Sequence, residues 1–203
     1  IKNYLNNIYN LNIRYIPNDI EIKTNKKHIQ KFIKKNNLNY IKADIILNIL
    51  RYHTPNISLH KKTSKLLNDL KKLDVKLGII TDGRSLTQRN KIYCLKILNI
   101  IDVIYISEEI KSLKPNSKAF KKIENKFKGH KYIYIGDNPY KDFATPNKLG
   151  WLTIGILNKQ SRIHTIKKRN QEYFKPHTQV NQIEDLSKSA IKKLVYNFYN
   201  WFA

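Results

Sequence analysis

Tyr132-Ile133-Tyr134-Ile135-Gly136-Asp137-Asn138-Pro139-Tyr140-Lys141-Asp142-Phe143 is the stretch on which the reading of this chain turns. Residues 132–135 are apolar enough for a buried strand. The run stops at Gly136-Asp137, a sharp turn that presents a carboxylate at the strand's C-terminal edge, and Asp142 follows shortly after. In open α/β sheets that edge is where ligands bind. Two carboxylates converging there suit a hard cation such as Mg²⁺. The same residues also suit a strand followed by an ordinary polar turn, so the stretch has to be read together with its partners elsewhere.

Upstream, Leu77-Gly78-Ile79-Ile80-Thr81-Asp82-Gly83 is another apolar run ending in a hydroxyl, a carboxylate and a glycine, and Lys114-Pro115 lies between the two. Helical and strand patterns alternate around them. From Thr63 a helix carries Leu66, Leu67, Leu70 and Leu73 into a strand at 75–80. Ser85 is placed to cap a helix with Leu86, Ile92, Leu95 and Leu98, and the strand Val103–Ile106 follows. Asn116 or Ser117 caps a helix bearing Phe120, Ile123 and Phe127. After strand 132–135 come strand Leu152–Ile156, a short strand near Val180 and a closing helix at 183–194. This alternation predicts an α/β fold with a doubly wound parallel sheet.

Residues 1–52 contain no glycine and read as mostly helical. Thr24 or Asn25 can cap a helix with Ile29, Phe32 and Ile33 on one face, and a second helix runs from Asn39 or Tyr40 to Arg51. The domain reading is a small helical region, 1–52, and a core, 53–203, that ends in an amphipathic helix. The tail's Ile191, Leu194, Val195, Phe198 and Trp201 or Phe202 pack on the domain or form a homodimer contact. His53 reads as a hinge or packing residue.

Composition narrows the function classes. Hydrophobic residues make up 41%, enough for a packed core. No apolar run approaches the roughly 20 residues of a membrane span. Cys94 is the single cysteine, which removes an internal disulfide and suits a reducing cytoplasm; it reads as a small buried apolar residue. The net charge of +24 raises the question of nucleic acid. Lysines are spread along the whole chain with no basic block interleaved with aromatics and no zinc-finger spacing, so specific nucleic-acid binding is not expected. A general attraction for anionic substrates is. The chain has no methionine and begins at Ile1, which reads as a fragment or processed form.

Thr81-Asp82-Gly83, Lys114 and Gly136-Asp137…Asp142, in that order, resemble the haloacid-dehalogenase-like hydrolases, most of which are Mg²⁺-dependent phosphatases. The resemblance covers roughly residues 51–186, and its wording is similar to members with a helical cap, which often sit in sugar-phosphate and nucleotide-sugar metabolism. It implies a Rossmann-type core. It also implies that Thr81 donates to phosphate with the Asp82 backbone N–H and Gly83 beside it. Lys114 would pair with nucleophile and phosphate, Asp137 would ligate Mg²⁺, and Asp142 would complete or orient that shell. The expected activity is hydrolysis of a small phosphorylated metabolite through an aspartyl-phosphate, in a cytoplasmic enzyme with no membrane partner.

One part of the pattern is missing. The family's first motif, Asp-x-Asp-x-Thr after an apolar strand, has no match here. The nearest imitation, Asp19-Ile20-Glu21, follows Pro17-Asn18 instead of a buried strand and reads as an exposed turn. In the resembled sheet that motif's strand lies centrally, between the strands at 75–80 and 132–135. The expectation is therefore a scaffold whose nucleophile and acid/base lie outside this chain, inactive alone. The alternative is a non-catalytic domain that binds phosphate ligands or a protein partner.

Overall fold

A computed structural model describes residues 26–52, 54–157 and 172–200. Helices α1 (Lys26–Lys35) and α2 (Ala43–Tyr52) pack as a pair around Ile29, Phe32, Ile33, Leu38, Ile46, Leu47 and Ile49. Ile29, Phe32 and Ile33 fall on one face at helical spacing, which is why they share this core. Asn37 takes the left-handed conformation (φ 55°) that ends α1, and the Leu38 N–H turns back to the Ile33 carbonyl.

The α/β part follows in order: α3 (Lys61–Lys71), β1 (Gly78–Thr81), α4 (Ser85–Cys94), β2 (Val103–Ile106), α5 (Ser107–Ile110), α6 (Lys118–Lys126), β3 (Ile133–Gly136), α7 (Pro139–Asp142), α8 (Ala144–Lys148), β4 (Leu152–Ile156), β5 (Thr178–Val180) and α9 (Lys188–Asn200). Among the described residues every strand pairing is parallel. Thr81 sits opposite Ile106, and Gly136 opposite Gly155, so the strand ends that carry the motifs lie at the C-terminal edges.

The alternation predicts one sheet. Among the described residues there are two, β1-β2 and β3-β4-β5, with no backbone pairing between β1 and β3. The seam lies where the family resemblance puts its central strand. Side chains span it. Leu77, just before β1, packs into the cluster of Leu66, Leu70, Ile154, Leu186 and Ile191 together with Ile133 and Ile135. Ile80 packs against Phe120, Tyr134 and Trp151. Asp102 fixes the entrance to the β1-β2 pair, taking the Leu77 N–H at 2.8 Å on one oxygen and the Lys71 ammonium at 2.6 Å on the other. Both donors hold its carboxyl below the ordinary aspartate range.

Several boundaries differ from the sequence reading. β1 begins at Gly78, because Asp74 adopts a left-handed conformation (φ 57°) and the Val75 N–H still closes the last turn of α3. Ser85 does not cap α4 with its side chain; the Glu108 carboxylate takes the Ser85 N–H at 2.7 Å, a cap supplied by a distant segment. Leu86 and Leu98 are exposed and Cys94 is half-buried, so α4 keeps only Ile92 fully inside. The closing helix is split. Gln182 and Asp185 cap each other around the single 3₁₀ turn Ile183–Asp185, and Ser187 then accepts the Ala190 N–H to start α9. Ile191, Leu194 and Val195 of α9 pack on the domain. The Tyr199 hydroxyl bonds the Tyr132 backbone, donating to the carbonyl at 2.7 Å and accepting the N–H at 3.0 Å. Asp19, Glu21, Thr24, Asn25, His53, Trp201 and Phe202 lie outside the described residues. Among the described residues no helix is long and apolar enough to cross a membrane.

Candidate functional site

β1 delivers Thr81, and the following turn delivers Asp82 and Gly83 at φ 138°, a conformation that a side chain would strain. A Cβ on Gly83 would also stand 2.7 Å from Gln88 Nε2. The turn is tied to α5, whose Ser107 hydroxyl accepts the Gly83 N–H at 2.9 Å. The Thr81 hydroxyl donates to Gln88 Oε1 at 3.0 Å, so in this arrangement its one proton is spent within the chain.

β3 delivers Gly136 and Asp137. A Cβ on Gly136 would lie 2.7 Å from Cβ, Cγ and Oδ2 of Asp142, so the glycine is what lets that side chain lie against the strand end. Asp142 is 2% exposed. Its Oδ2 accepts the N–H groups of Asp137 (3.1 Å) and Asn138 (2.9 Å), which shapes the turn. Its Oδ1 accepts the Lys114 ammonium at 2.6 Å and the Tyr134 hydroxyl at 3.1 Å. Asp137 itself is exposed.

Lys114 joins the two halves. Its backbone N–H donates to Asp82 Oδ1 at 3.0 Å, while its ammonium reaches Asp142 and the Tyr134 hydroxyl, the latter at 3.1 Å. Lys141, on the β3 side, makes a second link to Asp82 Oδ2 at 3.3 Å. Residues following β1 and β3 therefore meet across the seam, with their C-terminal ends on the same side. Tyr134 reports the local field. Burial first, then the Asp142 charge and the more distant Asp82 and Asp137, drive its phenol far above the ordinary tyrosine range.

Thr81, Asp82, Lys114, Asp137 and Asp142 thus lie at one edge. The sequence missed Tyr134, Gln88, Lys141 and the carboxylate of Asp82, which was read for its backbone alone. Only Tyr134 carried a signal: a tyrosine inside a buried strand needs a hydroxyl partner. All four acceptor positions of Asp142 are filled within the chain, an arrangement that suits the orienting role among the two expected of it. No group of three His, Cys, Asp or Glu that could hold a metal converges among the described residues. Among the described residues of this edge, the carboxylate without a bond inside the chain is that of Asp137. One carboxylate fits Mg²⁺ as part of a shell, since Mg²⁺ commonly takes its other oxygens from water and substrate phosphate.

A family model described as haloacid dehalogenase-like hydrolase matches residues 2–156. A glyceraldehyde 3-phosphate phosphatase of Methanocaldococcus jannaschii is 32% identical over 136 residues, covering 64% of this chain and 60% of the relative. One of Pyrococcus furiosus is 28% identical over 132 residues, covering 63% of this chain and 55% of the relative. The chain thus spans little more than half the length of these relatives. Among solved structures, the HAD-hydrolase YfnB from Bacillus subtilis, bound to magnesium, aligns with a TM-score of 0.60 at 15% identity, over 92% of this chain and 87% of that one. A 2-haloacid dehalogenase from Pseudomonas syringae aligns with a TM-score of 0.58 at 14% identity, over 97% and 88%. These two likenesses concern the fold.

Proposed function

Because the chain belongs to the haloacid dehalogenase-like hydrolases, we propose that it serves a phosphatase acting on a small sugar phosphate of the size of glyceraldehyde 3-phosphate. The observation that carries the proposal is the meeting of Lys114 with Asp82 and Asp142 across the seam, which brings the ends of β1 and β3 to one place. Dehalogenases share the fold, but an exposed Asp137 at the same edge as a held lysine suits phosphate and a cation better than a carbon–halogen bond.

In this reading the Lys114 ammonium offsets charge on the oxygens of the transferring phosphoryl group. Thr81 gives its hydroxyl to one of those oxygens, releasing Gln88 as it does so. Asp142 holds Lys114 and the Asp137 turn in place and stays out of the reaction. Asp137 would hold Mg²⁺, which when bound polarises the phosphoryl oxygens and neutralises their charge. The nucleophilic aspartate and its acid/base partner are not among the described carboxylates of this edge. We assign them to a strand that fills the seam between β1 and β3 and lies outside the described residues.

The experiment is to express the chain with and without the codons that precede it, and to assay sugar phosphates with Mg²⁺. Turnover by the extended form alone is expected. Enzyme-like turnover by the 203-residue chain would put the nucleophile within it, with Asp19 the first suspect. An extended form that carries the full motif yet stays inert across the panel would favour a second reading, a phosphate-binding scaffold. The internal bond of Thr81 to Gln88 is the feature that suits that alternative.

A further inference from the structure

An ammonium carries three N–H donors. For Lys114 two of them are spent inside the protein, on Asp142 Oδ1 at 2.6 Å and on the Tyr134 hydroxyl at 3.1 Å. The Tyr134 hydroxyl is also 3.1 Å from the same Asp142 oxygen. The three groups close a triangle, and chemistry fixes the direction of each bond. An ammonium cannot accept, so the phenol must accept from Lys114 and give its own proton to the carboxylate.

We propose that Tyr134 is a positioning residue for Lys114, and that the triangle aims the third ammonium N–H at the phosphoryl group of the substrate. The inference rests on the phosphatase reading, in which Lys114 meets the transferring oxygens. Lysine has a flexible stem and a freely rotating head. A single bond to Asp142 would leave that head free to turn about the Nζ–Oδ1 line; a second fixed partner removes the rotation. The other end of the residue is already anchored by the bond from its backbone N–H to Asp82.

Packing does not account for the hydroxyl. The Tyr134 ring meets Phe120 at 5.2 Å between centroids, and a phenylalanine would make that contact equally well. A buried hydroxyl adds nothing to such packing and costs free energy unless it is bonded. Nor does Asp142 lack donors without it, since Lys114 and two backbone N–H groups already reach it. What the hydroxyl adds is a second fixed point for the ammonium.

The test compares wild type, Tyr134→Phe and Lys114→Ala in the natural full-length protein with Mg²⁺ and glyceraldehyde 3-phosphate. For Tyr134→Phe, kcat is expected to fall about ten- to a hundredfold, the worth of one hydrogen bond to a charged group. KM should stay within about twofold, the pattern of a contact used in the transition state. Unchanged kcat in Tyr134→Phe beside an inactive Lys114→Ala would overturn the positioning role and leave the phosphatase reading standing. A fully active Lys114→Ala would overturn both. A second measurement needs no turnover. With ¹⁵N-labelled lysine, wild type should show a Lys114 ammonium resonance protected from water exchange and absent in Lys114→Arg. In Tyr134→Phe that protection should be lost. A wild-type Lys114 resonance merged with the solvent-exposed lysines overturns the proposal even if the variant fails to fold. A resonance unaltered by Tyr134→Phe overturns it whatever happens to kcat.

Discussion

Replacing Asp142 by asparagine keeps the shape and removes the charge, and the geometry says where the loss falls. Each carboxylate oxygen accepts two donors, and an amide offers only one accepting atom. If the amide NH₂ faces Asp137 and Asn138, two backbone N–H groups lose their acceptor at the turn after β3. If it faces Lys114, the ammonium keeps only the Tyr134 hydroxyl. Because the Lys114 and Asp142 side chains are 14% and 3% exposed, water replaces little of what is lost. Removing one partner of a buried pair costs about 3–5 kcal/mol. The lower end applies here, since the ammonium retains one partner, and about 3 kcal/mol is a large part of a domain's stability. Denaturant unfolding followed by circular dichroism is the assay, with Asp137→Asn as the control. Asp137 is exposed, so its variant should unfold within about 0.5 kcal/mol of wild type while losing Mg²⁺-dependent turnover. An Asp142→Asn loss below about 1 kcal/mol, or a larger loss for Asp137→Asn, would refute the division into an orienting and a ligating aspartate.

Gly136→Ala should destabilise by about 1–3 kcal/mol, because its Cβ would press on buried Asp142 against a fixed turn; unfolding like wild type would show that the turn can give. Lys114→Ala should cost the full-length enzyme about a thousandfold in kcat, read by steady-state kinetics, and a loss below about tenfold would remove it from the charge-bearing role. Acidification should weaken the β4-β5 end. Burial holds His177 below its ordinary value of 6.5, and its Nδ1 accepts the Thr153 N–H at 3.1 Å, which requires the ring to be neutral there. The unfolded chain then binds the proton at higher pH than the folded one. The contribution is complete above about pH 6.5 and is lost as pH falls through the lower folded value. Melting temperature from pH 7.5 to 5 should therefore drop in wild type, with a flatter profile in His177→Gln; parallel profiles would exclude His177 as the cause.

Much of this was legible because local rules govern it. Gly136-Asp137 after an apolar run, and Thr81-Asp82-Gly83 after another, put their side chains at strand ends wherever the strands pair. A parallel topology then brings the ends together. Lys114 was readable as part of an ordered set, though nothing local places its ammonium beside Asp142. The partners of these residues were not legible, for a physical reason: each is a side-chain contact set by packing between elements distant in sequence. Glu108 capping α4 is one case, where the local pattern pointed to Ser85. Gln88 holding Thr81 and Lys141 reaching Asp82 are others, since a glutamine or an exposed lysine carries no signature of its partner. The division of the sheet could be anticipated only from a motif that was missing, because propensity says which strands exist and not which are neighbours.

The seam gives the site's side chains a second duty. Strands in a sheet are normally aligned by their backbone ladders, and between β1 and β3 the described residues supply none. What aligns the two C-terminal edges there is side-chain chemistry. Apolar clusters set the distance, and they do so without direction. Lys114 and Lys141 set the level, because both ammonium groups reach carboxylates whose positions along the strands are fixed. The Lys141 link is half-exposed and worth little alone. The Lys114 link is largely shielded and is bonded at both ends of the residue. A strand inserted between β1 and β3 would take over the alignment through its own ladders, leaving Lys114 free to act on a ligand without the edges drifting apart. In the described residues, then, the lysine links the two edges, and under the proposed function the same group would carry charge to the phosphoryl oxygens once the seam is filled.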